Sequence, residues 1–478
     1  MFRIKLSFGI GFLCLCSATL WLIPPSSAAD PLPNTKPLTE DGDLAAKMVA
    51  GMHKYLDREL AAAPKNRNAR WTGNEATRER FKKMLGLVDA RLPARVEYVS
   101  GPDEPAAIAE SAGFTAYAVR WAVLPGVDGE GLLLEPKGNI TANVVAIPDA
   151  TWTPEQIAGL IKDEKGPKPF AKRLAEHGCR VVIPVLIDRN DTLSGNPKLN
   201  RATNLPHREF IHRMAYEMGR TLVGYEVQKV LAVVDWFHSR DKDMPIGTIG
   251  VGDGGRIALY AAAADARISG VHVACAFGPR EGVHEEPLDR NLWNEVCEFG
   301  DAEVAALVLS ASKRPDFPVV STYPPATAGG KTSEVSWPEW GGPVAKAGKG
   351  GAAPGIIKAI PAADAARERK RLVALTPSVK PVFGQVKTDD DWYGWRDLCH
   401  TLLPGDGFPH QEKPTYAIVD KRKNLDPAIR HKRQFDQLVA FTQKLWRDSE
   451  PVRKAFWAKA DASSPEAWEK SCEGSRDY

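Results

Sequence analysis

The chain has 478 residues, with 63 Lys plus Arg against 60 Asp plus Glu and a formal net charge of +3. That length allows one large domain or two to three smaller ones, with a sizeable core. The near-balance of charge gives no electrostatic case for nucleic acid or an anionic membrane surface as a partner. Seven cysteines without C-x-x-C or other metal-type spacing give no reason to expect a metal or another cofactor.

The first residues, "MFRIKLSFGIGFLCLCSATLWLIPPSSAAD", place two cations ahead of an apolar stretch and close on Ser27-Ala28-Ala29. This order predicts a signal peptide over 1–29, a mature start at Asp30, and a secreted or periplasmic protein. An uncleaved anchor is the alternative, because the stretch approaches spanning length; no other segment does, so no further membrane insertion is expected. Residues 30–115 read as a linker and helical lead-in, with helices from Asp43 and near Glu75. Residues 116–445 read as the main domain and 446–478 as a helical extension.

From Tyr117 the pattern alternates on both sides of Gly126, the mark of a β-hairpin. Strand and helix then take turns: strand "NVVAIPDA", helix "KPFAKRLAEHG", strand "RVVIPVLI", and a long helix or helix pair from His207 to about Ser239. The strand "IGTIGVGD" follows, then the helix "GRIALYAAAAD" and the strand "SGVHVACAFG". A hairpin followed by βα units predicts a mostly parallel sheet covered by helices. Residues 324–357 are rich in Gly, Pro and Ala and read as an insertion. A helix near Ala362–Leu375, a strand near Pro381–Val386 and an amphipathic helix from Ala428 close the domain.

The stretch "IGVGDGGRIALYAAAAD" has the order of a nucleophile elbow, a strand turning sharply into a helix to present an attacking side chain. The expected tip is Asp253, flanked by Gly252, Gly254 and Gly255, with Val251 two residues before it. A plain βα turn with Asp253 as a helix N-cap is the alternative. A carboxylate tip suits displacement at an sp3 carbon, giving an alkyl ester that a His-activated water cleaves; on a carboxylic ester it would give a mixed anhydride. For the base, His400 and His410 sit on expected loops after late elements. His272 and His284 follow the elbow too closely, and His431 reads as a helix-surface residue. Glu298, Asp301 and Asp389–Asp391 are the candidate acids. Backbone N–H groups of Asp149, Ala150 and the residues up to Trp152, with Gly254, are the candidate oxyanion donors.

Two further patterns bear on organisation. "RKAFWAKADASSPEAWEK" at Arg453 loosely repeats "RNARWTGNEATRERFKK" at Arg67, which would make the chain end as a second lead-in begins. The stretches "RLAEHGCRVVIPVLIDRNDTLSGNP", "PHREFIHRMAYEMGRTLVGYEVQKVLAVVDWF", "GVGDGGRIALYAAAADARISGVHVACAFGPREG" and "EPLDRNLWNEVCEFGDAEVAALV" together resemble secreted α/β-hydrolase-like proteins of planctomycete-type bacteria. These are often labelled dienelactone hydrolase or acetyl xylan esterase-like. The resemblance implies an α/β-hydrolase fold, a small-molecule or carbohydrate ester as substrate, an acidic elbow tip as a family habit, and a second hydrolase unit as a partner. Two functions stay open at this point. One is an active secreted hydrolase acting through Asp253; the other is a catalytically silent hydrolase fold that binds a glycan or a partner domain.

Overall fold

The hairpin forms where the alternation predicts it. Strands β3 (Phe114–Leu124) and β4 (Val127–Pro136) pair antiparallel from Leu124↔Val127 to Phe114↔Pro136. Their two-residue turn places Gly126 at φ 77°, a conformation open to glycine at no steric cost. Before the hairpin come β1 (Val96–Tyr98) and β2 (Ala107–Ser111), both antiparallel to β3. After it come β5 (Ala142–Ile147), β6 (Cys179–Pro184), the short pair β7 (Gly195–Asn196) and β8 (Arg201–Ala202), then β9 (Ile246–Val251), β10 (Ile268–Ala274), β11 (Val320–Tyr323) and β12 (Ile418–Asp420). The computed structural model describes residues 33–36, 39–102, 104–161, 167–196, 201–202, 205–311, 320–323, 353, 355–377, 395–402, 415–422 and 426–476.

Apart from β7 and β8, these strands make one sheet in the order β11-β10-β9-β5-β6-β4-β3-β2-β12, with β1 on β3. The run β11-β10-β9-β5-β6 is parallel, and the remaining pairs are antiparallel. Every residue of β5, β6 and β9 is buried, as their continuous apolar runs require when helices cover both faces. The period of two divides the core. Val145, Ile147 and Val182 pack with the helices Glu75–Leu85, Leu222–Arg240, Asp253–Ala264 and Asp301–Ala311, while Val144, Ala146 and Val181 pack with Phe170–Glu176 and Trp395–Leu402. A hairpin leading into β5, β6 and β9, with β6 and β5 exchanged in the spatial order, is the connectivity of the α/β-hydrolase fold.

The chain moves outward from β5 to β6 and then returns to place β9 on the other side of β5. That reversal is the switch point where open α/β sheets bind ligands, at the carboxyl ends of the strands. The segment from His207 resolves into two helices, His207–Glu217 and Leu222–Arg240, the second capped by Thr221. The strand read as "RVVIPVLI" ends at Pro184, so Val185–Ile187 open a loop instead. The last long helix runs Pro427–Trp457, through Pro451 and past the expected boundary at 446.

The chain divides into two units at Asp57/Arg58, within the helix Leu44–Arg70. In the first unit Asp43 caps that helix by accepting from the Ala46 N–H. The second unit carries the sheet and everything below. The expected signal segment, nearly all of 324–357, the strand near Pro381–Val386 and Asp389–Asp391 lie outside the described residues. No described helix is long and apolar enough to cross a membrane.

Candidate active site

The elbow is present, but its tip is one residue earlier than the sequence suggested. β9 ends at Val251, the helix begins at Asp253, and between them Gly252 takes φ 58° and ψ −121°. That is the strained strand-to-helix turn that presents the nucleophile in this fold. The flanking glycines fix the same frame. A Cβ on Gly250 would lie 2.1 Å from the Gly254 carbonyl oxygen, and a Cβ on Gly254 would lie 2.3 Å from the carbonyl oxygens of Ile147 and Pro148. Helix and strand approach too closely there for any side chain. Gly250-Val251-Gly252-Asp253-Gly254 therefore fills the five positions of a Gly-x-nucleophile-x-Gly elbow with glycine at the centre. Gly255 serves the same packing, its Cα facing the Ala274 carbonyl oxygen.

Asp253 is the residue after the tip, where hydrolases use the backbone N–H as an oxyanion donor. Here that N–H donates to Asp149 Oδ2 at 3.0 Å. Asp149 belongs to the loop after β5, the other usual source of oxyanion donors. It draws that loop onto itself: its Oδ1 accepts from the Thr151 N–H at 2.9 Å and the Thr151 hydroxyl at 2.7 Å, and its carbonyl accepts from the Trp152 N–H. The N–H groups of Asp253 and Thr151 thus point at one internal carboxylate, and that of Trp152 at the carbonyl of the same residue. Burial pushes the Asp149 carboxyl up from its ordinary value, and the negative charge of Asp253 adds to the shift.

The Asp253 side chain is also committed. It is 3% exposed, and its Oδ2 accepts from Arg189 Nη2 at 2.6 Å and Nε at 3.2 Å. Arg290 Nε lies 3.6 Å from the other oxygen. Burial would raise this carboxyl, but Arg189, Arg290 and Arg208 together outweigh burial and hold it well below the usual carboxylate range. The network continues inward: Arg189 and Arg208 share Asp289, and Arg208 makes a two-pronged pair with Glu226. Asp253 reads as a structural anion of this network.

The other expected catalytic residues are elsewhere. Asp301 accepts from Arg280 Nε at 2.8 Å and from the Gly278 N–H, tying the loop after β10 to the helix Asp301–Ala311. His400 is exposed on the helix Trp395–Leu402. That helix lays Leu398 and Leu402 against Gly247 and Gly270, at the amino ends of β9 and β10, the end of the sheet opposite the elbow. His410 lies outside the described residues.

Beside the elbow, a cavity of 370 Å³ opens over the carboxyl ends of β5 and β6. Ala150, Trp152 and Pro154 come from the loop after β5, Asp188 and Arg189 from the loop after β6, and Arg430 and His431 from the helix Pro427–Trp457. Arg189 both faces this space and holds Asp253, so the cavity and the elbow share a wall. His207 clasps the loop: its Nδ1 donates to Asp188 Oδ1 at 2.6 Å, and its Nε2 accepts from the Leu193 N–H at 2.7 Å. His431 Nε2 accepts from the Asp188 N–H at 3.0 Å.

Asp188, His207 and His431 bring three donor atoms within 4.8 Å of one another, a set able in type to hold a divalent metal. Both imidazole lone pairs are taken, however. A metal on His207 Nδ1 would force a proton onto Nε2, facing the Leu193 N–H, and a metal on His431 Nε2 would displace the Asp188 N–H. The cluster fits a hydrogen-bonded clasp better than a metal centre. Arg189, Asp188 and His207 were missed in the sequence, and Trp152 was expected only as a backbone donor. The signal was "DRND", a charged run directly after an apolar parallel strand.

No protein-family model matches the chain, and no curated protein matches it. Solved structures do. The likeness to acetyl xylan esterase 1 from Thermoanaerobacterium sp. JW/SL YS485 has 14% identity and a TM-score of 0.32, covering 52% of this chain and 76% of that one. The likeness to a glucuronoyl esterase from Solibacter usitatus has 12% identity and a TM-score of 0.34, covering 68% of this chain and 91% of that one. The strand order above, and not these likenesses, gives the fold.

Proposed function

We propose that the chain is a catalytically silent α/β-hydrolase module that binds carbohydrate in the cavity over β5 and β6. The observation that carries this reading is Gly252 at the elbow tip: the position of the attacking atom has no side chain. Asp149 supports it by occupying the Asp253 N–H, where the oxyanion of an ester intermediate would need a donor. Asp253 cannot take over as nucleophile without leaving Arg189, and its oxygens face a guanidinium network instead of the cavity.

The binding half rests on the cavity's size and chemistry. Its volume falls in the ~300–1,000 Å³ range of small-ligand pockets. Trp152 and Pro154 offer apolar faces for a sugar ring, and Asp188, Asn190 and Arg430 offer polar groups at the rim. Secretion, suggested by the N-terminal segment, would bring such a module to extracellular polysaccharide.

Calorimetric titration with acetylated xylo-oligosaccharides, with released acetate followed in the same samples, tests both halves. Binding without acetate release is expected, and Trp152→Ala should weaken it about tenfold or more. Acetate release that disappears in Asp253→Asn would overturn the silent reading, and an absence of binding would overturn the carbohydrate reading.

A further inference from the structure

The loop after β6 is held at both ends by imidazole. It gives the cavity over β5 and β6 Asp188, Arg189, Asn190, Thr192 and Leu193. At its start the Asp188 N–H donates to His431 Nε2, and at its end the Leu193 N–H donates to His207 Nε2. The two rings come from separate elements, the helices Pro427–Trp457 and His207–Glu217, and their centroids lie 5.3 Å apart. His207 Nδ1 donates to Asp188 Oδ1, which leaves its Nε2 as the acceptor.

Both tethers use a lone pair that only a neutral imidazole has, because a protonated ring donates from both nitrogens. A proton on His431 Nε2 would face the Asp188 N–H, and one on His207 Nε2 would face the Leu193 N–H, donor against donor in each case. An amide or hydroxyl oxygen would hold the same N–H groups at any pH. The loop instead relies twice on the side chain whose ordinary charge change falls between about pH 5 and 8.

The neighbours set the direction. Asp188 is the one acid facing the rings, with Oδ1 2.6 Å from His207 Nδ1 and 3.7 Å from His431 Nε2. Lys229 faces His431 from the helix Leu222–Arg240, and Arg430 stands beside it on its own helix. Lys229 is tied to Gln434, Arg430 to Glu155 of the loop after β5, and Arg189 turns inward to Asp253 and Asp289. Burial, then His207, Lys229 and Arg430, hold the His431 imidazole below its ordinary value, with Asp188 working against them. A closed loop thus binds fewer protons than an open one, and it loses ground as the pH falls below the ordinary ~6.5 of histidine.

We propose that His207 and His431 are a pH-operated latch on this cavity: with both rings neutral the loop after β6 closes on a ligand, and acid releases it. The ligand half rests on the binding reading above, while the latch is a property of the ligand-free chain.

Amide hydrogen exchange of the ligand-free full chain, corrected for the pH dependence of intrinsic exchange, tests the latch at about pH 7.5 and about pH 5. EDTA in both samples leaves protons as the only cations competing for the rings. Protection at Asp188 and Leu193 should fall about tenfold at the lower pH, while Val145 in β5 and Ile249 in β9 keep theirs. His431→Gln, whose amide oxygen accepts the Asp188 N–H without titrating, should cancel the fall at Asp188 and leave that at Leu193. Xylo-oligosaccharide affinity should be weaker at the lower pH, and less so in that variant. Unchanged protection of both loop amides, an equal fall at Val145 and Ile249, a fall at Asp188 that survives in a folded His431→Gln protein, or equal affinity at both pH values would each overturn the proposal. A fall confined to Asp188 and Leu193, with no oligosaccharide bound at either pH, would support the latch and overturn only the carbohydrate reading.

Discussion

Asp253 and Asp289 are buried carboxylates less than a hydrogen bond's reach from one guanidinium, and Arg189 serves both. Removing one partner of a buried pair strands the other charge, at a typical cost of about 3–5 kcal/mol. Arg189→Leu is therefore expected to lower the unfolding free energy measured in urea by an amount in that range, and a loss under about 1 kcal/mol would show that Arg208 and Arg290 suffice. The pH dependence follows from the direction of the Asp253 shift. Its folded value lies below the ordinary ~3.9 of an unfolded aspartate. Its contribution is thus fully present above about pH 4 and is lost only as the pH falls through the lower folded value.

His212 acts at a different pH. Burial, and secondarily the nearby guanidinium groups, lower its imidazole to about 4. Below about pH 6.5 the unfolded chain binds this proton and the folded chain does not, so stability falls between about 6.5 and 4. An NMR titration should place the His212 midpoint near 4; a midpoint at 6.5 or above would contradict its burial.

At the scale of elements, the lead-in helix Glu75–Leu85 is part of the elbow's support. Phe81 is fully buried, with its ring 5.3 Å from Tyr260 and 5.1 Å from Phe299. Arg78 donates to the carbonyls of Ala263 and Leu307, at the ends of the two helices that cover this face. Phe81→Ala should cost about 3–5 kcal/mol. Hydrogen exchange should then rise in Asp253–Ala264 as well as in the lead-in, whereas a rise confined to 75–85 would show that the lead-in is an appendage.

Elements were the legible part of the sequence. Apolar runs bounded by turn residues gave β5 and β9, and the glycines after β9 gave the elbow helix, because strands buried on both faces leave no other pattern. The tip was not legible. Four glycines in Gly250–Gly255 allow the strained dihedral at either Gly252 or its neighbours, and composition does not say which residue bears it. The site network was hidden for another reason: Arg189 meets Asp253 and Asp289 across 64 and 100 residues, and no local period records such a meeting. His400 looked suitable as a loop residue, but its helix packs under the amino ends of the strands.

At the scale of the whole molecule, sheet, elbow and switch point are those of the α/β-hydrolase fold, while the tip is glycine and the donor loop is folded onto Asp149, which supports the proposed loss of the reaction. The second lead-in-like stretch also takes shape as helix, loop and capped helix. The long helix contains Pro451 as the first contains Pro64, and Ser464 caps Pro465–Ser471 as Asn74 caps Glu75–Leu85. Phe81 is buried where it falls in the first, while Trp457 and Trp468 remain about half exposed in the second. The central claim, that no residue at the elbow attacks a substrate, is tested most directly by intact-mass spectrometry. The purified protein would be incubated with an excess of a reactive aryl epoxide and, separately, a fluorophosphonate. An unchanged intact mass is expected with both reagents; a covalent adduct that peptide mapping places on Asp253 would contradict the claim.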